Sequence, residues 1–71
     1  MKTVNSYNIY DPEHYVCVLW HALASDEAEV RQLAKDAGID LTGLEIEQIR
    51  TDVRDELRRP YSPRIEDAQV Y

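Results

Sequence analysis

His14, Cys17 and His21 stand at i, i+3 and i+7, a spacing that puts all three on one face if the stretch is helical. Imidazole and thiolate are the usual zinc ligands, and Asp11 is placed to add an acid to them. Against a metal, one helix seldom supplies three ligands, and the chain has no other cysteine or histidine. The three are better read as a mildly polar outer face, so neither a metal nor a cofactor is expected. Cys17 and His21 also make the thiol–base pair of nucleophilic catalysis. Such a pair needs an oxyanion site and a cleft, and the two isolated glycines form no loop rich in backbone donors. The chain is not expected to be an enzyme.

A second group is basic and aromatic: Arg54, Arg58, Arg59, Tyr61 and Arg64. Arginine and tyrosine together stack on single-stranded bases and pair with phosphate, and the same two residues are enriched at protein interfaces. At a helix end, arginines also simply oppose the dipole. The tyrosines Tyr7, Tyr10, Tyr15, Tyr61 and Tyr71 gather toward the two ends of the chain. A small domain needs no aromatics at loose ends, so these read as anchors that order on a partner.

The elements that must position these residues read as helical. Residues 1–10 are an extended arm, too weakly alternating to be a strand. Asp11-Pro12-Glu13 supplies an N-cap, a residue preset for the first turn and an early acid. Val16, Leu19, Trp20 and Leu23 then follow at helical spacing, which predicts a helix over 12–24. A hairpin pairing NSYNIY with YVCVLWH is the rival reading, because Val16 and Val18 are β-branched. The start signal and the alanines favour the helix.

A second helix is predicted over 26–37. It has a capping box from Asp26 to Glu29, a Glu27–Arg31 pair at i, i+4, and Gly38 as its left-handed stop with Ile39 behind it. Thr42 with Glu45, and Leu41 with Ile46, suggest a third start over 43–58. Its apolar face is Ile46, Ile49, Val53 and Leu57, and Pro60 ends it. Residues 60–71 are left as a mobile tail. The expected architecture is all-α: an arm (1–10), a three-helix domain (11–59) and a flexible tail (60–71). Its core would gather Val16, Leu19, Trp20, Leu23, Val30, Leu33, Ile39, Leu41, Ile46, Ile49, Val53 and Leu57.

Ala34, Gly38 and Leu44 match the spacing of a helix-turn-helix, with the glycine in the turn. The buried position three after Leu44 is instead Glu47, and the second helix would open Thr42-Gly43-Leu44-Glu45, with nothing cationic for phosphate or bases. A helix-turn-helix nucleic-acid binder is therefore the alternative reading and not the first.

Composition narrows the classes. The chain has 71 residues, a hydrophobic fraction of 44% and a net charge of -6, which fits one small folded domain. The acidic balance opposes general nucleic-acid binding, where Lys and Arg supply most of the affinity. Imitation of DNA is also weak, because eight basic residues offset fourteen acidic ones. No apolar run suits a membrane span, no charged-then-apolar leader opens the chain, and one cysteine fits a reducing compartment. A cytoplasmic monomer without membrane contact is expected.

The segments Val-Cys-Val-Leu-Trp-His and LAKDAGIDLTGLEIEQIR, with the arm before them, carry a resemblance along essentially the whole chain. The chain resembles the small RNA-polymerase-binding regulators of lytic Xanthomonas bacteriophages. The resemblance implies a protein that binds host RNA polymerase, hinders promoter use by the σ-containing enzyme and lets elongating polymerase read through intrinsic terminators. It assigns no site residues. From the residues themselves, Tyr7, Ile9 and Tyr10 in the arm are expected to make one partner contact. Arg54, Arg58, Arg59 and Arg64 are expected to make another, facing acidic protein, emerging RNA or an elongation factor.

Overall fold

NSYNIY is a strand, and one of the two central ones. In the computed structural model, which describes residues 3–14 and 18–68, it forms β1 (Asn5–Tyr10). A single 3-10 turn at Pro12–His14 follows, then β2 (Val18–Ala24), α1 (Glu27–Asp36), β3 (Glu45–Arg50) and β4 (Arg64–Asp67). The four strands make one antiparallel sheet in the order β3-β1-β2-β4. The expected all-α, three-helix architecture is overturned: the protein is mainly β, with one short α-helix among the described residues.

The hairpin displaces the first helix because β1 and β2 need each other. Tyr7 lies opposite Ala22 and Ile9 opposite Trp20, so alternate residues of both strands point to one side. Asp11-Pro12-Glu13 makes only a turn, in which the Asp11 carboxylate accepts from the Glu13 N–H at 2.9 Å. The small side chains of Ala22 and Ala24 let α1 approach the sheet closely. Val30 and Ala34, one turn apart on α1, are buried there. Tyr7, Ile9, Ala22, Ala24 and Val30 form the core, flanked by Trp20, Leu33, Leu41, Leu44, Ile46 and Ile65. Ile49 and Leu57, assigned to the core from sequence, are 44% and 71% exposed. Val16 lies outside the described residues.

The second helix keeps the ends its sequence marks. The Asp26 carboxylate accepts from the Glu29 N–H at 2.8 Å, and the Glu29 carboxylate reaches back to the Ser25 N–H at 2.7 Å. At the other end, Gly38 takes φ 75° while the Gly38 and Ile39 N–H groups donate to Lys35 and Ala34 carbonyls. That is the double hydrogen bond of a Schellman stop.

The third helix does not form. Asp40 caps the Thr42 N–H at 2.9 Å, and Gly43 adopts φ 78°, outside the helical region. The chain leaves this turn extended, with Ile46 opposite Ile9. A bulge then sets Tyr7 against Gln48 but Ser6 against Arg50. The extra residue, Ile49, breaks the two-residue alternation and imitates a helical period. Without a third helix there is no helix-turn-helix: Gly38 ends a helix that is followed by a strand. The flexible-tail reading also fails for 64–67, which pair with β2 as an edge strand.

Residues 51–63 connect opposite edges of the sheet and must cross its end. Two bonds pin the crossing: the Asp52 N–H donates to the Asn5 side-chain carbonyl at 3.0 Å, and the Val53 N–H to the Val4 carbonyl at 2.8 Å. Asn5 is 8% exposed, and its side-chain N–H group donates to the Ser25 carbonyl at 3.0 Å. One buried amide therefore ties the crossing loop to the entrance of α1.

Candidate interaction surface

Cross-strand pairing sets the order of side chains on the sheet face away from α1. At one end the row runs Arg50, Ser6, Leu23, Arg64; the next runs Glu47, Asn8, His21, Glu66; the last runs Glu45, Tyr10, Val18. The face is thus basic at the end crossed by residues 51–63 and acidic toward the other. Its middle is tied by the Asn8 side-chain oxygen and His21 Nδ1 at 2.8 Å. The Tyr10 hydroxyl donates to Glu45 at 3.2 Å. Burial, that hydrogen bond, and the charges of Glu45 and Glu47 push the Tyr10 phenol above its ordinary pKa.

The crossing loop carries the arginine group. Arg54 and Pro60 form an isolated antiparallel bridge, and Asp55 organises the turn between them. Its carboxylate accepts from the Leu57 and Arg59 N–H groups, each at 2.9 Å, and from Arg59 Nε at 3.2 Å. The Arg59 N–H is the first reason its pKa lies below the usual carboxylate value, only partly offset by desolvation. Arg54 braces the same turn, donating from Nη1 to the Arg58 carbonyl at 2.9 Å and from Nε to Asp52 at 3.0 Å. Arg58 sits at φ 61°. The net effect is a small rigid finger that turns Leu57 and Arg58 outward.

A carboxylate with a depressed pKa stabilises the finger fully above the unfolded value of about 3.9. That contribution is lost as pH falls through the lower folded value. The Leu57 and Arg59 amide proton shifts should therefore titrate together, with one midpoint below the ordinary carboxylate range. Separate midpoints, or a shared one at the ordinary value, would contradict the role given to Asp55.

The residues expected to make contacts divide sharply. Tyr7 and Ile9 are core residues, 4% and 0% exposed, so they cannot touch a partner without unfolding the domain. Tyr10 does reach the open face. Arg54, Arg58 and Arg59 are brought together by the finger, not by a helix. Arg64 stands apart on β4, within 3.9 Å of Glu66 and with its guanidinium 5.8 Å from the Tyr61 ring centroid. Sequence reading missed Leu57 as a surface anchor and Asp55 as the organiser. An Asp followed by amides two and four residues on is the signal that finds such a loop.

The helical face weighed for zinc, and set aside, required His21 on a helix. His21 lies instead on a strand, paired with Glu66 and bonded to Asn8. Cys17 and the His14 side chain lie outside the described residues, as do Tyr15 and Tyr71. Among the described residues, no group of three His, Cys, Asp or Glu could hold a metal ion, and no helix is long and apolar enough to cross a membrane. No protein family matches the chain, and no curated protein or solved structure matches it.

Proposed function

We propose that this chain is a phage-encoded, cytoplasmic regulator that binds host RNA polymerase. It hinders σ-dependent initiation at host promoters and promotes read-through at intrinsic terminators. The reading starts from the resemblance of the sequence segments to such regulators, and the observation that supports it is the finger's surface. A finger presenting 71%-exposed Leu57 beside exposed Arg58 has the arginine–apolar composition of a protein contact. Arg58 has no ion pair within the described residues, whereas Arg54 and Arg59 hold Asp52 and Asp55. Arg58 and Leu57 are thus available to a partner, while Arg54 and Arg59 maintain the shape. Free DNA is a poor target, since acids interleave the arginines and the chain carries -6 overall.

In transcription with purified σ-bearing host polymerase, the protein is expected to reduce promoter-dependent product and to raise product extending past an intrinsic terminator. Arg58→Gly is the sharper probe, because glycine suits a positive φ and removes the whole side chain, guanidinium included, without straining the turn. It should weaken both effects about tenfold, or about 1.4 kcal/mol of binding. An intact protein that alters neither product refutes the functional reading. An Arg58→Gly variant as potent as the parent removes the finger from it.

A further inference from the structure

A cleft of about 330 Å³ opens on the acidic part of the sheet face, lined by Asn8, Tyr10, Pro12, Val18 and Glu47. It exists because of a local irregularity. Ile9 pairs with Trp20, yet Tyr10 pairs with Val18, so β2 carries an extra residue at Leu19. Such a bulge turns the side chain beyond it across the sheet, and Val18 joins Tyr10 on the open face. Pro12, at the start of the 3-10 turn, closes one wall.

The polar groups in and beside the cleft are mostly spoken for. The Asn8 side-chain oxygen is held by His21 and the Glu45 carboxylate by the Tyr10 hydroxyl. Glu47 is exposed, and its carboxylate has no hydrogen bond or ion pair within the described residues. The cleft therefore offers an aromatic ring, two apolar walls and one uncommitted carboxylate, with a second carboxylate one hydrogen bond away. No cation lines it. Phosphate and nucleic acid are repelled by that field, and an uncharged apolar group would desolvate Glu47 without pairing it.

We propose that this cleft receives one arginine side chain from an extended basic segment of a protein partner. A guanidinium is planar and weakly hydrated, stacks on an aromatic face, and pairs with a carboxylate through two parallel N–H donors. The Tyr10 ring and the free Glu47 carboxylate supply those two interactions together. An ammonium offers no flat face and is more strongly hydrated, so lysine is the poorer occupant. The volume lies at the small end of ligand sites, in keeping with one side chain rather than a free metabolite. The inference rests on the reading of this protein as a binder of a host protein. It adds a second contact, of opposite charge to the finger.

The test uses the full chain, isotope-labelled for NMR, and capped tripeptides with arginine, lysine or citrulline at the centre. The arginine peptide should give saturable shifts confined to Asn8, Tyr10, Val18, Glu47 and their neighbours. Citrulline, which keeps the shape and loses the charge, should bind at least tenfold more weakly, and lysine should fall between them. Glu47→Gln should weaken arginine binding at least tenfold, whereas Glu66→Gln, on the opposite edge strand of the same face, should leave it unchanged. Equal binding of citrulline or lysine, shifts spread over the acidic surface, or indifference to Glu47→Gln would each overturn the assignment. The titration contains no polymerase, so its failure leaves the polymerase reading standing, and a failure of polymerase binding leaves the cleft result standing.

Discussion

Ile9→Ala is expected to lower the melting temperature by more than about 10 °C and to leave much of the chain unfolded at 37 °C. Ile9 is fully buried, lies in a central strand, and pairs with Trp20 on one side and Ile46 on the other. Losing its methyl and methylene groups there costs about 2–5 kcal/mol. A 71-residue domain holds only about 4–11 kcal/mol in all, and each kcal/mol moves the midpoint of so small a domain by about 4–8 °C. Leu57→Ala provides the contrast. At 71% exposed, it should change stability by less than about 0.5 kcal/mol. Thermal unfolding of the two variants beside the parent checks both statements. Similar shifts for Ile9→Ala and Leu57→Ala would refute the placement of β1 at the centre. It follows that removing residues 1–10 is no test of a binding arm, because it removes the strand on which β2 and β3 pair.

Asn5→Ala should cost about 2–4 kcal/mol, more than its few side-chain atoms suggest. The amide makes two bonds at once, to the Ser25 carbonyl and from the Asp52 N–H. Removing it leaves both backbone groups without that partner in a partly buried site, and an orphaned buried group costs about 1–3 kcal/mol. Asn5→Asp separates the two bonds. The new carboxylate can still accept from Asp52, but it faces the Ser25 carbonyl oxygen without a donor. Burial and that oxygen raise its folded pKa. A raised carboxyl pKa leaves stability intact below the unfolded value of about 3.9 and removes it as pH climbs toward the folded one. Urea unfolding of this variant should therefore show a larger deficit, relative to the parent, at pH 7 than at pH 4. An equal deficit at both would mean that the donor half of the amide contributes little.

The helix was legible because its signals are local. Asp26, Glu29 and Gly38 act within a few residues, and each does what its position implies. The strands were not, because what fixes them is distant in sequence. Ala22 and Ala24 look like helix formers and prove to be the small residues beneath α1. Tyr7 and Ile9 have no core role if the segment after them is a helix; the hairpin gives them partners and buries them. Two bulges blurred the alternation at the positions where it would have decided the matter, Leu19 and Ile49. β4 spans four residues with one inward apolar side chain, Ile65, and pairs only at an edge, so its pattern is too short to stand out. The arginine group was visible as composition. Its form was not, since Asp55 gathers it through backbone amides that any residue would supply.

The central claim is that polymerase is bound through a surface on which the finger is one contact. The most direct test is equilibrium binding of purified host RNA polymerase to the labelled parent and to a Leu57→Ala, Arg58→Gly double variant. Both proteins would first be checked for the same sheet by NMR. The account predicts saturable binding by the parent that weakens as salt rises, and a loss of at least tenfold in the folded double variant. Absence of parent binding to polymerase, with the fold intact, would contradict it.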